Sequence, residues 1–544
     1  MPKFRNIIIG AGPAGLQLGY FFQKSGVEYV ILEKAPAAAS FFNQFPLSGK
    51  LISINKPNTG SDNPEFNLRH DWNSLLNNEG LLFTDYSKDY YPDSKDLVKY
   101  LNDFATINKL NIIYNTKVIK VRKAEDGTAK YMILTDEGVG ADIKKNIYDC
   151  DKLIIATGLS KMKMPGFEHN VKRPVKHYGE YEKGYFQNPE NLEKYRNKSL
   201  LLVGNGNAAF ELGNLLNHLC SSVLILGKKP KEWAMSTHYT GDLRSIYLPL
   251  YDTFLLKSLN GFDNHNVKQF TINQETEDGK YTLTYICNDK CKTVHNYLEE
   301  NFGGVDEVIY CTGWGFDNSI FDFDVQLFPG GKYPAVSSYY ESSNNDDLYF
   351  IGSLMHSLDF KKSSGGFIHG FRYLIGHFFN MNFARKFDIV RFKLTVSLSE
   401  VVEHIMYRIN VTSSLYQMYG VMCDLFYVDP ETDEIVYYNG VNLSTYINEM
   451  PKQLPGTYFF ALKLEYGIKR ITNIYEFGLK VSDIGTESQT TLLHPVLYVY
   501  KDLESGSKVL VDTIHFDEDL FADYTLASKY SDKFYRTLRM FIDL

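Results

Sequence analysis

The sequence predicts an α/β fold with two nested Rossmann-like dinucleotide-binding domains, followed by a C-terminal α+β region. Three observations lead to this prediction. A glycine-rich turn between an apolar strand and a helical pattern occurs twice, at residues 10–15 and 204–209. Two apolar strands, at 152–158 and 305–313, end in Thr-Gly, and a third strand at 347–353 ends in Gly-Ser. Their order along the chain places the second motif inside the first fold.

The domain boundaries follow from this order. We expect residues 1–165 and 315–384 to form a discontinuous first domain and residues 166–314 to form the second. Residues 385–544 then form a third region without a cofactor motif. In it, Leu394 to Asn410 has helical character, and strands are expected at Thr457 to Tyr466 and Val496 to Lys501. This region could cover the active site, pair subunits or bind a partner.

Bulk composition excludes several classes of protein. The net charge of −8 lacks the basic excess of a nucleic-acid binder. No apolar run approaches the roughly 20 residues of a membrane span. A strand begins at Phe4 with no apolar leader before it, which predicts a cytoplasmic location and no membrane association. The sequence does not decide the oligomeric state, and a homo-oligomer is possible.

The cysteines indicate a reducing compartment and predict no metal site. Six cysteines are scattered through 544 residues without a C-x-x-C pair. Cys287 and Cys291 are the closest in sequence, and the Asn-Asp-Lys between them is typical of a hairpin turn.

The first glycine motif predicts an FAD site. A strand from Phe4 to Ile9 enters the turn, and a second strand from Tyr29 to Leu32 ends at an acid that can accept hydrogen bonds from ribose. The glycines permit a tight turn, close approach of a pyrophosphate and close helix packing. The predicted contacts in this segment are Gly10, Gly12, Ala14, Gly15, Glu33 and Lys34.

Three later segments favour FAD over NAD at this site. The strands ending at Thr157-Gly158 and Gly352-Ser353 are of the kind that return the chain to an FAD domain. Val118, in the strand TKVIKVRK, is expected to contact the adenine through its main chain. Each segment alone could equally be one more strand of a sheet, and their spacing around the second motif decides the prediction.

The second glycine motif predicts an NADPH site. Strands from Leu200 to Val203 and from Ser222 to Leu226 flank it, and no acid follows the second strand. Two lysines stand there instead, and they would attract a 2′-phosphate, although they could also solvate a turn. The predicted contacts are Gly204, Gly206, Asn207, Ala209, Lys228, Lys229, Thr312 and Gly313.

These motifs, with Thr312-Gly313-Trp314, resemble the group B flavin monooxygenases. Their fingerprint F-x-G-x-x-x-H-x-x-x-F/Y is degenerate here: Val171 and Arg173 replace two positions, while His177 and Tyr181 remain. A closer resemblance is to the FAD-dependent oxidoreductase domain-containing protein 2 family. It is carried by strings throughout the chain, among them KLISINKPNTG, EFNLRHDWNSLL, WAMSTHYTGDLRS, FKKSSGGFIHGFRY and LHPVLYVY.

The resemblance implies a reaction cycle. NADPH reduces FAD, O₂ adds to the flavin as a C4a-(hydro)peroxide, and a small substrate takes one oxygen atom, with N-hydroxylation of an amine or amino acid as one form. The family's secretory member has a signal peptide and an ER-retention tail. Because neither is found in this sequence, we expect a cytosolic relative that acts on a small molecule.

Three residues are the catalytic candidates. The resemblance places Asn55 over the flavin, where its amide could donate to a peroxide, although it could also cap a loop. Arg69 could bind a substrate carboxylate or form a salt bridge. Lys361 precedes a helix from Phe367 to Phe378 whose N-terminus would face the flavin, but it could also belong to a solvated turn. His369 and Arg372, on that helix, are expected to be structural.

Two other functions remain open at this point. One is an NADPH-dependent flavin reductase or oxidase that inserts no oxygen. The other is a partner-binding protein in which FAD is structural, which the intact glycine motifs do not favour.

Overall fold

The structure is a computed structural model. It describes residues 2–125, 127, 129–257, 261–263, 267–274, 279–287, 304–383, 393–397, 399–444, 447, 454, 456–468, 487–505, 507–517 and 528–542. The turn between Cys287 and Cys291 and most of the acidic run from Asp517 to Asp523 lie outside these residues.

The first sheet has seven strands and combines a parallel and an antiparallel part. The parallel part has the strand order Ile112–Ile113, Val30–Leu32, Lys3–Ile9, Lys144–Ile155, and the antiparallel part adds Tyr131–Glu137 and Thr116–Lys123. The twelve-residue strand Lys144–Ile155 also pairs with Leu348–Phe350 through its last three residues. The central strands are buried on both faces, as expected from their unbroken Ile, Val and Leu runs.

The second sheet repeats the parallel arrangement with five strands. Its order is Gly261–Asp263, Ser222–Leu226, Ser199–Val203, Glu307–Tyr310, Lys176–His177. Two ribbons accompany the nucleotide-binding sheets, Val267–Asn273 with Thr282–Cys287 and Lys161–Met162 with Trp314–Gly315. The two parallel sheets confirm the predicted fold class.

The third sheet is wholly antiparallel. Its six strands have the order Lys393–Val396, Ile435–Asn442, Met422–Val428, Tyr458–Tyr466, Leu493–Asp502, Lys508–His515. The two predicted strands of this region are confirmed. The helix predicted from Leu394 is wrong over its first residues, because they pair as a strand with 435–438 and the helix begins only at Val401.

Helices cover both parallel sheets and join them to the third. The described α-helices are Pro13–Ser25, Ser40–Gln44, Pro64–Asn67, Ser94–Ile107, Pro189–Glu193, Asn207–Leu216, Ala234–Thr237, Leu248–Lys257, Ile368–Asn382, Val401–Val411, Ser413–Gln417 and Ser528–Leu538. Short 3₁₀ helices are Phe83–Asp85, Gly140–Asp142, Tyr178–Glu180, Tyr185–Gln187, Ser245–Tyr247, Gly352–Ser357 and Glu487–Gln489.

Candidate active site

The first glycine turn is held tightly against the end of the strand Lys144–Ile155. Gly10 has φ +107°, and a Cβ there would lie 2.8 Å from the carbonyl oxygen of Ala156. A Cβ on Gly15 would collide with the carbonyl oxygen of Gly10. Gly12, the N-cap of the helix Pro13–Ser25, is different, since no atom lies within 4 Å of its Cβ position. The turn therefore leaves open space at a helix N-terminus, which is the cradle that a pyrophosphate needs.

The acid after the second strand is tied to this cradle. Glu33 is buried and accepts from the backbone N–H groups of Ala11 at 2.7 Å and Ala35 at 3.0 Å. Lys34 beside it is exposed. Val118 lies half-buried in the strand Thr116–Lys123, whose first N–H donates to the carbonyl of Glu33 at 2.9 Å. The structure thus brings the predicted ribose and adenine contacts to one edge of the sheet.

The two returning segments meet over the same turn. A Cβ on Gly352, which has φ +72°, would lie 2.5 Å from the Cβ of Ala14. The hydroxyl of Ser353 lies 3.5 Å from the Cβ position of Gly158, and Thr157 is half-buried beside it. The segments around Ala14, Gly158 and Gly352 are therefore distant in the sequence but enclose one cradle.

The second glycine turn has the same construction. Gly204 has φ +120°, and its Cβ would collide with the carbonyl of Cys311 at the end of the strand Glu307–Tyr310. Ala209 is fully buried, while the Cβ position of Gly206 is open to 4 Å. Asn207 uses its side chain locally, because it donates to the carbonyl of Asp242 and accepts from the N–H of Arg244, both at 3.0 Å.

The remaining predicted contacts of this site lie around its rim. Lys228 and Lys229 are exposed, and Asn205 holds their loop by donating to the carbonyl of Lys229 at 2.7 Å. The hydroxyl of Thr312 donates to the carbonyl of Lys163, and Gly313 has φ +79°. Both lysine ammonium groups are thus presented to solvent beside the second cradle.

Asn55 is fully buried, and its hydrogen bonds contradict the expectation that its amide N–H donates to a ligand. Its amide nitrogen donates to the carbonyls of Ser87 at 2.8 Å and Asp89 at 3.2 Å. Its side-chain oxygen is buried and has no partner among the described residues. The group left for a ligand is therefore an acceptor, not the donor that the sequence argument assumed. A buried acceptor without a partner indicates a missing hydrogen-bond donor, which a bound cofactor or substrate can supply.

Arg69 and Lys361 are used for structure. Arg69 is buried and donates to the carbonyls of Ile409 at 2.7 Å and Thr412 at 2.9 Å in the C-terminal region. Lys361 forms ion pairs with Glu232 and Asp242. Burial alone would lower the pKa of Lys361, but these carboxylates outweigh it and raise the pKa. Neither placement favours the predicted catalytic role.

A buried array positions the helix Ile368–Asn382. The Tyr239 hydroxyl lies 2.7 Å from Nε2 of His356, and Nδ1 of His356 lies 2.9 Å from the Asp359 carboxylate. The other oxygen of Asp359 accepts from the N–H of Gly365 at 2.7 Å. A Cβ on Gly366 would lie 2.6 Å from the His356 ring. The array therefore fixes the backbone that leads into the helix.

Two more buried polar atoms at this helix start have no partner among the described residues. They are Oγ of Ser363 and Nε2 of His369. Burial, with Arg372 and Arg244 nearby, holds the pKa of His369 well below its ordinary value, so the imidazole is neutral at pH 7. Together with the oxygen of Asn55 and the open cradle at Gly12, these atoms fit a bound FAD. Ser363 and His369 would then face polar groups of the cofactor.

Arg244 is a site residue that sequence reasoning missed. Its N–H bonds to Asn207 at the second cradle, and its Nη1 donates to the carbonyl of Ile52 at 2.8 Å. The guanidinium also lies 4.9 Å from the ring centroid of Trp72. In the sequence, Arg244 stands out only as part of the string WAMSTHYTGDLRS. It lies 40 positions after Gly204, and no spacing rule links a residue there to the glycine motif.

The C-terminal region packs on both nucleotide-binding units. Gln417 donates to the carbonyl of Arg69, and the ring of Tyr466 stacks on His238 at 3.7 Å. Arg408, a buried cation, bonds the fully buried Asp424 at 2.6 and 3.0 Å and reaches Glu65 at 3.2 Å. These contacts join the C-terminal region to both nucleotide-binding units.

Cys150, Cys220, Cys311 and Cys423 are free thiols. Burial raises the pKa of Cys220 and Cys423 to about 12 and raises that of Cys150 and Cys311 as well. Within the described ranges, no three His, Cys, Asp or Glu side chains group as a metal site would require. No helix in the described part of the chain is both long and apolar enough to cross a membrane.

Two interlocked glycine cradles with this edge geometry define a two-dinucleotide oxidoreductase, and comparison with known proteins agrees. Residues 7–352 match the family model described as pyridine nucleotide-disulphide oxidoreductase, to which the chain therefore belongs. More narrowly, it is a member of the FAD-dependent oxidoreductase domain-containing protein 2 family. It is 34% identical to the Mus musculus protein over 530 residues, covering 91% of this chain and 76% of the relative. The Danio rerio protein is 32% identical, over 91% and 75% of the two chains.

Solved structures share the fold of the nucleotide-binding part. The bacillithiol disulfide reductase of Staphylococcus aureus has a TM-score of 0.50 at 20% identity, over 71% of this chain and 99% of that one. The ornithine N-hydroxylase of Kutzneria sp. 744 has a TM-score of 0.50 at 14% identity, over 71% and 100%. Reductases and hydroxylases thus share this architecture, and the choice between them depends on the site.

Proposed function

We propose that this protein is an NADPH-consuming FAD monooxygenase that acts on a small molecule with O₂. The observation that carries the proposal is the bridge between the two cradles. Asn207, in the first turn of the second motif helix, holds the backbone of Arg244, and the Arg244 side chain holds Ile52, three residues before Asn55. Arg244 therefore links the second cradle, which would hold the nicotinamide dinucleotide, to the loop that carries the Asn55 oxygen without a partner among the described residues.

Each residue of this region has a defined task. When bound, FAD accepts a hydride from NADPH and reacts with O₂. Lys228 and Lys229 attract the 2′-phosphate that distinguishes NADPH from NADH. Buried Asn55 offers an acceptor to a polar group on the flavin side, and neutral His369 keeps the helix start free of added charge. Burial of these groups excludes water, which an oxygen-transfer site requires.

The cysteines disfavour a disulfide reductase mechanism. Such a reaction needs a thiolate near neutral pH beside the flavin. Four cysteines have described side chains, and these are buried or half-buried and have raised pKa values: Cys150, Cys220, Cys311 and Cys423. The sequence also has no C-x-x-C. A location in the cytoplasm and a homo-oligomeric state remain predictions.

Product analysis with isotopically labelled O₂ tests the proposal. Purified protein with NADPH and a small-molecule extract should release a product that carries one labelled oxygen atom. Asn55→Ala should shift NADPH consumption toward H₂O₂. Asn108→Ala is a matched control, because Asn108 is also buried with an unpartnered side-chain oxygen but lies at the end of the helix Ser94–Ile107, outside the cofactor loops. Stoichiometric H₂O₂ with no labelled product would instead favour the NADPH oxidase alternative.

A further inference from the structure

Arg244 is a half-buried cation without an acidic partner among the described residues. Its guanidinium donates only one hydrogen bond to a described residue, from Nη1 to the carbonyl of Ile52. No hydrogen bond from its Nε or Nη2 to a described residue accompanies the Nη1 bond. Burial lowers the pKa of Arg244, yet a guanidinium remains charged at neutral pH. A cation that is partly stripped of water and lacks a counter-ion is the arrangement that an incoming anion stabilises.

The surroundings of this cation are aromatic. The guanidinium lies over Trp72, and Trp72 stacks on His369 with centroids 4.3 Å apart. The backbone N–H of Trp72 donates to the carbonyl of Ile54 at 3.1 Å, so Trp72 lies close to Asn55. Tyr91 lies close enough to interact electrostatically with Arg244. The cation therefore lies among aromatic side chains and close to Asn55.

We propose that Arg244 binds the carboxylate of an organic acid whose apolar or aromatic body lies against Trp72 and Tyr91. This rests on the proposed function, because it names the substrate class of that same pocket. The planar guanidinium retains two N–H directions for a carboxylate, and the rings bury the remainder of the ligand. Arg69 cannot take this role through the groups that already donate to Ile409 and Thr412.

The pyrophosphate of the nicotinamide dinucleotide is the other anion that could reach this region. The direction of the side chain favours the organic acid. The backbone of Arg244 is bonded at Asn207, near the second cradle, but the guanidinium extends to Ile52 and Trp72 on the flavin side. The described contacts of the guanidinium are therefore with Ile52 and Trp72 and not with the second glycine turn.

Ligand titration of the oxidised, FAD-loaded protein tests the proposal without turnover. Benzoate and phenylacetate are the probes, their uncharged amides are the matched comparison, and the change in visible flavin absorbance reports binding. Arg244→Gln should raise the Kd of both acids about 10- to 100-fold, which is the range for the loss of a charge-assisted hydrogen bond. It should leave the Kd of the uncharged amides within about twofold, and Arg244→Lys should recover part of the affinity for the acids. Arg5→Gln, whose side chain is 72% exposed, is the control.

Two results would overturn the proposal. The wild-type protein could bind neither acid, or Arg244→Gln could bind both acids as tightly as wild type. FAD content and thermal unfolding show whether the variant is folded. Because binding is measured on the oxidised protein, a failure of oxygen insertion would not affect this result, and a failure here would leave the oxygen reaction standing.

Discussion

A pair of glycine substitutions in the second cradle tests whether its two glycines have separate tasks. In Gly204→Ala the new methyl group would collide with the carbonyl oxygen of Cys311 and lie 2.8 Å from its carbon. The backbone at Gly204 also has φ +120°, which an alanine rarely adopts. In Gly206→Ala the methyl group enters space with no protein atom within 4 Å, and φ is −92°, which any residue adopts.

The expected magnitudes differ accordingly. Backbone strain at Gly204 costs of order 1–3 kcal/mol, and the collision adds to it, so Gly204→Ala should lower the stability by about 3 kcal/mol. Gly206→Ala should change the stability by less than about 1 kcal/mol. Its methyl group lies where the pyrophosphate approaches, so NADPH affinity should fall about tenfold or more.

Thermal unfolding by circular dichroism measures the first effect, and the dependence of the anaerobic flavin reduction rate on NADPH concentration measures the second. Gly204→Ala should lower Tm by several degrees, while Gly206→Ala should keep the wild-type Tm and lose NADPH affinity. The two glycines would not have separate tasks if both variants unfolded at the same temperature, or if Gly206→Ala bound NADPH as tightly as wild type.

Three further predictions address charge and burial. Replacing Lys228 and Lys229 with Ala should reduce kcat/KM for NADPH about tenfold and leave that for NADH nearly unchanged, and equal losses would contradict the proposed phosphate contact. Asp424→Ala should cost about 3–5 kcal/mol of unfolding free energy, because Arg408 would stay buried with only the partly exposed Glu65 as an acidic partner among the described residues. Asp103→Ala, which breaks a surface pair, should cost less than about 1 kcal/mol. Equal unfolding midpoints of the two variants in urea would contradict this. Burial lowers the pKa of His377 to about 4, so the unfolded chain takes up a proton at a higher pH than the folded protein does. The unfolding free energy should therefore fall as the pH drops from about 6.5 to about 4. His377→Leu should flatten this part of the dependence of stability on pH, and an unchanged slope would contradict the role of His377.

The cradles could be predicted from sequence because their signals are local. Gly10 and Gly204 each follow an apolar strand and precede a helical pattern within a few residues, and the structure gives both a positive φ. Strand limits such as Thr116–Lys123 followed from the same local patterns. Turn chemistry and hydrophobic runs decide these features, so no distant contact is needed to infer them.

The remaining features depend on contacts that sequence spacing does not encode. Leu394 begins a stretch with a helical local pattern, yet pairing with Tyr437 makes it part of a strand. The guanidinium of Arg69 bonds carbonyls more than 300 residues away, so its structural use could not be read beforehand. Arg244 reaches Ile52 across 192 residues for the same reason. Long-range packing therefore decided which arginine faces the proposed site.

The most direct test of the central claim is anaerobic reduction of the purified FAD protein by NADPH in a stopped-flow instrument, followed by mixing with O₂. The account predicts rapid loss of the oxidised flavin absorbance. It then predicts a transient species, spectrally distinct from oxidised and reduced flavin, that decays faster in Asn55→Ala but not in Asn108→Ala. Direct return to oxidised flavin with one H₂O₂ per NADPH in the wild-type protein, with the same course in both variants, would contradict it.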